Sequence, residues 1–227
     1  MKVAVMYSGG KDSTMAVNYA LENGWDVETL ISVKPKSTES FLYQYATVEW
    51  TKLSSEALGI PALHVKSEKI GAKDEADELE KVFKNLKVDA ILMGGVGLQE
   101  TQIRELKRVA NKFGIELIVP YNDLTSEQLF EKTIDSGFDI MLTDVASDGL
   151  TMNWLGKKLN KENSEEFKHM SKEFGFDILG EGGYYNTFVV DGPIFKKKIE
   201  FTQTESVWDK STGSGYLEVK NAKLVPK

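Results

Sequence analysis

The 227-residue chain contains no cysteine. Disulfides, thiolate zinc sites, cysteine nucleophiles and persulfide sulfur carriers are thereby excluded. Histidine is almost as scarce. His64 falls in an apolar strand pattern and His169 on a polar helix; neither has a partner at metal-ligand spacing, so both read as structural or solvated. Positive charge is in the minority, 28 Lys+Arg against 35 Asp+Glu for a net charge of −7. A broad nucleic-acid-binding face normally comes as a basic domain, so no nucleic-acid partner is expected. The nearest basic patch, Lys196-Lys197-Lys198, reads as the solvated face or edge of a strand. No apolar run approaches the roughly 18 residues of a membrane-spanning helix, which removes the membrane as a partner. Met1-Lys2 leads into only Val3-Ala4-Val5-Met6, too short for the apolar core of a signal peptide. The expected compartment is the cytoplasm.

What is present is ordinary for a folded protein: 41% hydrophobic and 28% charged residues, ample for a real core. The first two-thirds alternates short apolar runs with amphipathic stretches, as a parallel sheet with crossover helices does. Strands are predicted at residues 3–7, 27–33, 62–65, 89–93, 116–119 and 138–143, the last closing the series. Helices are predicted between them: one closed by Gly24, one over 40–58 closed by Gly59, one over 73–86, one over 101–113 and one closed by Gly137. Thr125-Ser126-Glu127-Gln128 is a capping box opening that last helix. After Asp144 the rhythm changes. Asn163 and Glu166 are placed to cap a helix ending at Gly175, then glycines and alternating runs at 187–190, 195–201 and 215–224 follow. The predicted fold is an α/β doubly wound, mainly parallel domain over residues 1–144, with a smaller α+β carboxy-terminal domain over 145–227.

Directly after the first strand stands Ser8-Gly9-Gly10-Lys11-Asp12-Ser13, and a helix begins there. Strand, glycine turn and helix amino terminus together form an anion site, since glycines admit a phosphate to the backbone and the helix dipole favours negative charge. Ser8 and Ser13 add hydroxyl donors, Lys11 adds a point charge, and Asp12 can hold a magnesium ion. The spacing is neither Walker A nor the dinucleotide fingerprint.

The turn resembles the signature Ser-Gly-Gly-x-Asp-Ser of the PP-loop ATP pyrophosphatases, with their adenine-nucleotide α-hydrolase-like fold. Those enzymes split ATP between its α and β phosphates, usually to adenylate an oxygen. Other stretches resemble one branch, the diphthine–ammonia ligases and their archaeal and bacterial relatives. These are Ser40-Phe41-Leu42-Tyr43-Gln44, Glu56-Ala57-Leu58-Gly59-Ile60-Pro61, Gly149-Leu150 with Trp154-Leu155-Gly156, Gly180-Glu181-Gly182-Gly183 and Asp191-Gly192-Pro193. Two departures stand out. The branch continues Glu-Gly-Gly-Glu-aromatic-Glu-Thr, whereas this chain has Tyr184 and Asn186 at the two acidic places. Gln102, Arg104 and Glu105 are out of the branch's Gln-x-x-Arg-x-Glu spacing, as an inserted residue would make them.

The resemblance implies that Tyr7, Ser8, Gly9, Gly10, Lys11, Asp12 and Ser13, with Ser32, Val33 and Gly94, bind ATP. Lys11, Asp12 and Glu181 would be catalytic, Asp12 would hold Mg2+, and Gln44, Gln102, Gly182, Gly183, Tyr184 and Asn186 would meet the acceptor. Its chemistry is adenylation of a carboxylate and displacement of AMP by ammonia, with free ammonium as nitrogen source. The implied acceptor is diphthine on elongation factor 2. Two alternatives stand beside it: another carboxylate, as in cobalamin salvage, and an ATP-binding module that senses without turnover. A homodimer is an allowed assembly. Trp154 is open to two readings, a ligand stack or a cover for the seam between the two parts.

Overall fold

The structure is a computed structural model and describes residues 1–36, 40, 43 and 47–227. In chain order the elements are β1 (Lys2–Met6), α1 (Lys11–Glu22), β2 (Asp26–Pro35), a 3-10 turn (Val48–Trp50), α2 (Thr51–Leu58), β3 (Ala62–Ser67), α3 (Ala72–Asp77), α4 (Glu80–Phe83), β4 (Ala90–Leu92), α5 (Glu100–Asn111) and β5 (Glu116–Ile118). Then follow α6 (Ser126–Asp135), β6 (Asp139–Val145), a 3-10 turn (Met152–Trp154), β7 (Lys158–Leu159), α7 (Ser164–Phe174), β8 (Tyr185–Asp191), β9 (Lys198–Asp209) and β10 (Ser214–Val225).

The first sheet has the order β3-β2-β1-β4-β5, and every pairing in it is parallel. Successive side chains of a strand point to opposite faces, and the strands are apolar on both. Val3, Val5, Leu30 and Leu92 join Met15, Ala16 and Ala20 of α1 on one face. Ala4, Ile31, Ile91 and Met93 join Ala76, Leu79, Phe83, Leu106 and Val109 of α3, α4 and α5 on the other. Helices therefore cover both faces, which is the doubly wound arrangement the sequence predicts.

The second sheet runs β7-β6-β10-β9, with β8 also paired to β6. Here the prediction needs correcting: the strand at 138–143 does not close the parallel series. As β6 it pairs antiparallel with β7, β8 and β10. The helix before it, α6, gives the stretch a βαβ rhythm. Yet α6 packs Phe130 onto Phe167 of α7, with stacked rings 5.9 Å apart, so the chain beyond it enters the second layer. The two sheets share one apolar core, with Phe188 of β8 buried beside α1.

Local chemistry accounts for the element ends. The capping box forms as predicted: Gln128 N–H donates to Thr125 Oγ1 at 3.2 Å, and Thr125 N–H donates to Gln128 Oε1 at 2.9 Å. Asn163 does not cap α7. Its side chain instead accepts from Asn160 N–H at 2.9 Å and donates to the Lys158 carbonyl at 2.7 Å. Of the helix predicted over 40–58, Val48–Trp50 is a 3-10 turn and the α-helix begins only at Thr51; residues 41, 42 and 44–46 lie outside the described ones. The stretch 73–86 is two short helices rather than one. Glu78, at the break, turns its carboxylate back to Ser67 Oγ and the Glu68 N–H.

Candidate active site

The turn between β1 and α1 is held from three sides. Gly9 takes φ +85°, and a Cβ there would collide with the Phe188 ring. Its carbonyl accepts the Val189 N–H at 2.8 Å. Gly94, just beyond β4, lies so close to the start of α1 that a Cβ would collide with the Asp12 carbonyl. Only glycine fits both places. Ser8 and Ser13 hydroxyls are 3.3 Å apart and close the loop on itself. The Lys11 amide does not point out of the helix terminus but donates to Thr187 Oγ1 on β8 at 3.1 Å.

Lys11 is buried, 2% exposed. Its ammonium donates to Asp12 Oδ2 at 2.9 Å and to the Leu179 carbonyl at 2.5 Å, and lies 4.9 Å from the centre of the Tyr185 ring. Burial alone would lower its pKa, but the charges of Asp12 and Glu181 and the Tyr185 hydroxyl outweigh it, so the lysine stays charged. Asp12 thus has one oxygen pinned by a lysine. The other, Oδ1, is buried without a hydrogen-bond partner.

The turn opens into a cleft of about 830 Å3, within the usual range for a small-molecule site. Met6, Ile31, Val33 and Met93 give it an apolar end, and Ser8, Asp12 and Ser13 a polar floor. Gly180, Glu181, Gly182 and Gly183 form the opposite wall. Asp177 folds that loop by accepting the Leu179 N–H at 2.9 Å and the Glu181 N–H at 3.3 Å. Glu181 accepts a hydrogen bond from Gln99 Nε2. Burial first, then the nearby negative charge of Asp12, pushes the Glu181 carboxyl up to about 7, against the pull of Lys11.

Most residues predicted from the sequence meet at this cleft. Tyr7, Ser8, Asp12, Ser13, Val33, Gly94, Gln102, Glu181, Gly182, Gly183 and Asn186 all line it. Gly9, Gly10 and Lys11 lie beneath the floor. Ser32 does not face the cleft; its hydroxyl donates to the Tyr7 carbonyl at 2.8 Å and ties β2 to β1. Tyr184 turns away and packs beside Phe176, with ring centres 6.3 Å apart. Tyr185 is core, its hydroxyl donating to the Ile178 carbonyl at 2.6 Å. Gln44 lies outside the described residues. Trp154 stacks on no cleft: it is buried edge-on to Phe167, ring centres 5.3 Å apart. His64 hydrogen-bonds Thr51 at 3.2 Å, and His169 lies 3.5 Å from Glu173 on α7.

Gln99, Asp144 and Tyr216 are among the cleft residues that escape sequence reasoning. Gln99 positions Glu181. Asp144 and Tyr216 reach the cleft from β6 and β10. Asp144 stands at the change of rhythm after β6, which is a usable signal. Gln99 and Tyr216 carry none in the sequence.

Residues 1–117 match the diphthamide synthase N-terminal domain, and residues 125–225 match the diphthamide synthase C-terminal domain. A Schizosaccharomyces pombe protein named diphthine–ammonia ligase is 30% identical over 97% of this chain, which spans 39% of that protein. The Homo sapiens protein of the same name is 28% identical over 91% of this chain and 85% of its own length. For the Danio rerio one the figures are 29%, 91% and 89%. A solved structure described as a predicted subunit of tRNA methyltransferase from Methanocaldococcus jannaschii covers 85% of this chain at 15% identity and a TM-score of 0.47, too low a likeness to bear on function. With both domains matched in order over sheets that enclose the glycine-turn cleft, the chain belongs to the diphthamide synthase family.

Proposed function

We propose that this protein is an ATP-dependent, AMP-forming ligase that amidates a carboxylate with ammonia, the acceptor being diphthine on elongation factor 2 and the product diphthamide. The observation that carries the reading is Asp12: a carboxylate with one oxygen pinned by buried Lys11 and the other partnerless, at the floor of a nucleotide-sized cleft. The family supplies the reaction class. The division of labour is part of the proposal, with ATP on the amino-terminal part and the acceptor on the carboxy-terminal part, in the cytoplasm. Among the described residues no helix is long and apolar enough to cross a membrane.

A carboxylate resists amines because oxide is a hopeless leaving group. Attack of the acceptor carboxylate on the α-phosphate of ATP expels pyrophosphate and makes an acyl-adenylate, whose leaving group is AMP. Ammonia then attacks the acyl carbon, AMP departs and the nitrogen sheds a proton. The apolar end of the cleft suits adenine. The Ser8 and Ser13 hydroxyls and the charge of Lys11 lie where the phosphates gain charge. Glu181, poised near neutrality, is matched to take the proton lost by the attacking nitrogen.

The residues fit a magnesium ion. Asp12 Oδ1 is a free hard donor. Among the described residues no group of three or more metal-binding side chains exists, which suits an ion bound by one or two carboxylates plus substrate phosphates. Bound there, magnesium would neutralise phosphate charge.

The test is AMP and pyrophosphate release with ATP, ammonium and diphthine-bearing elongation factor 2. Asp12→Ala and Lys11→Ala should each cut AMP formation by at least about 100-fold. A variant with undiminished turnover removes its residue from the catalytic assignment. AMP released with a different carboxylate and none with the elongation factor would keep the chemistry and reject the acceptor.

A further inference from the structure

Three residues directly opposed across neighbouring strands line the cleft as one row: Asn186 of β8, Asp144 of β6 and Tyr216 of β10. Cross-strand neighbours on one face lie about 5 Å apart, so the carboxylate stands between an amide and a phenol ring. Among the described residues it accepts no hydrogen bond and forms no ion pair. Other charges facing this part of the cleft are acidic: Glu181 from the glycine loop, and Glu218 from β10, 3.7 Å from Lys220. Lys34 is the one cation lining the cleft among the described residues, and it bonds Glu49 at 2.6 Å. Lys11 is committed to Asp12 and Leu179.

A half-buried carboxylate with no protein donor, in a cleft whose neighbouring charges are acidic, favours a cationic ligand. Tyr216, 42% exposed and directly opposite Asp144, supplies an aromatic ring of the kind ammonium-type cations favour. We infer that Asp144 binds an ammonium-type group on the acceptor side of this cleft, apart from the magnesium place at Asp12. Burial pushes the empty carboxyl up to about 6, as a carboxylate awaiting a counter-ion would be. The inference rests on the ligase reading for its role in turnover. Two sources offer the chemistry: the ammonium that supplies nitrogen, and a cationic substituent on the acceptor.

The binding claim is tested without turnover. In the full chain labelled with carboxyl-13C aspartate, the Asp144 signal is assigned by its loss in Asp144→Asn and titrated against pH. The titrations are run in sodium, ammonium or tetramethylammonium chloride at equal ionic strength. The expected result is that one or both ammonium salts lower the Asp144 midpoint well below its value in sodium. Equal midpoints in all three salts overturn the inference, whatever the protein does with ATP. Kinetics then separates the sources. In Asp144→Asn, ATP affinity should be unchanged, while the KM for ammonium or that for the elongation factor rises about tenfold or more. A rise confined to ammonium assigns the nitrogen donor, and one confined to the elongation factor assigns the acceptor's cation. No rise in either contradicts the role in turnover. A wild-type protein that makes no AMP defeats the ligase reading and leaves the titration to decide Asp144 alone.

Discussion

Of the carboxylates lining the cleft, Asp12, Glu181 and Asp144 stand in three electrostatic settings. Asp12 is tied to a buried ammonium, Glu181 is desolvated beside Asp12, and Asp144 is desolvated alone. For the last two the folded pKa, about 7 and about 6, lies above the unfolded values of 4.5 and 3.8. The folded state therefore binds more protons across that window. Its stability is greatest below the unfolded pKa and falls as pH rises through the folded one. Glu181→Gln and Asp144→Asn should each stabilise the nucleotide-free protein at pH 7.5, by about 1–2 kcal/mol after allowance for solvent screening. Thermal melts at pH 7.5 and pH 4 check this: the gain should nearly vanish at pH 4. An equal gain at both values would show that charge burial is not its cause. In turnover, Glu181→Gln should lower AMP formation more than ATP affinity. Loss of ATP affinity with intact chemistry would misplace the 180–183 loop. At this scale the sequence was most legible where a residue's place is set by neighbours in the chain, as for Ser8, Asp12 and Ser13 at the cleft floor. It was least legible where the partner is remote: nothing near Gln99 signals Glu181, and nothing near Tyr184 signals that its ring turns away from the cleft.

Among the elements, the β1–α1 turn depends on two packing partners that the strand–turn–helix pattern does not reveal, the segment after β4 and the strand β8. Gly94→Ala would drive a Cβ into the Asp12 carbonyl and should shift the turn. ATP binding measured by calorimetry should weaken strongly, and unchanged affinity would refute the close approach. Phe188→Ala removes a fully buried ring lying against Gly9 and Phe201, 5.4 Å from the latter's centre. It should cost about 3–5 kcal/mol in urea unfolding, with ATP affinity falling as the turn loosens. A loss below 1 kcal/mol would mean that the site collapses without penalty. Helix starts and stops written in local chemistry, such as the 125–128 capping box and Gly175 after α7, were readable. The assignment of β6 was not. Its own residues fit either sheet, and the choice is made by Phe130 packing onto Phe167.

On the scale of the whole molecule, a parallel sheet supplies the glycine turn and an antiparallel sheet supplies the opposing wall. The glycine-turn side was legible because one contiguous motif at a strand end builds it. The wall proposed to meet the acceptor draws on Asp144, the 180–183 loop, Asn186 and Tyr216, segments brought together only when β6, β8 and β10 pair. Asn186, one of the two departures from the branch's acidic pattern, lies directly opposite Asp144. The acidic character of this wall is thus carried by the neighbouring strand. That arrangement bears on whether diphthine is the acceptor, and a single-turnover experiment addresses it directly. Diphthine-bearing elongation factor 2 is mixed with excess protein, ATP and ammonium, and the modified histidine is followed by mass spectrometry beside AMP. A Tyr184→Glu/Asn186→Glu variant runs in parallel. Full conversion of diphthine to diphthamide by the unaltered protein is expected, with one AMP formed for each amide. No AMP and no amide from the unaltered protein, together with conversion by the double variant, would contradict it.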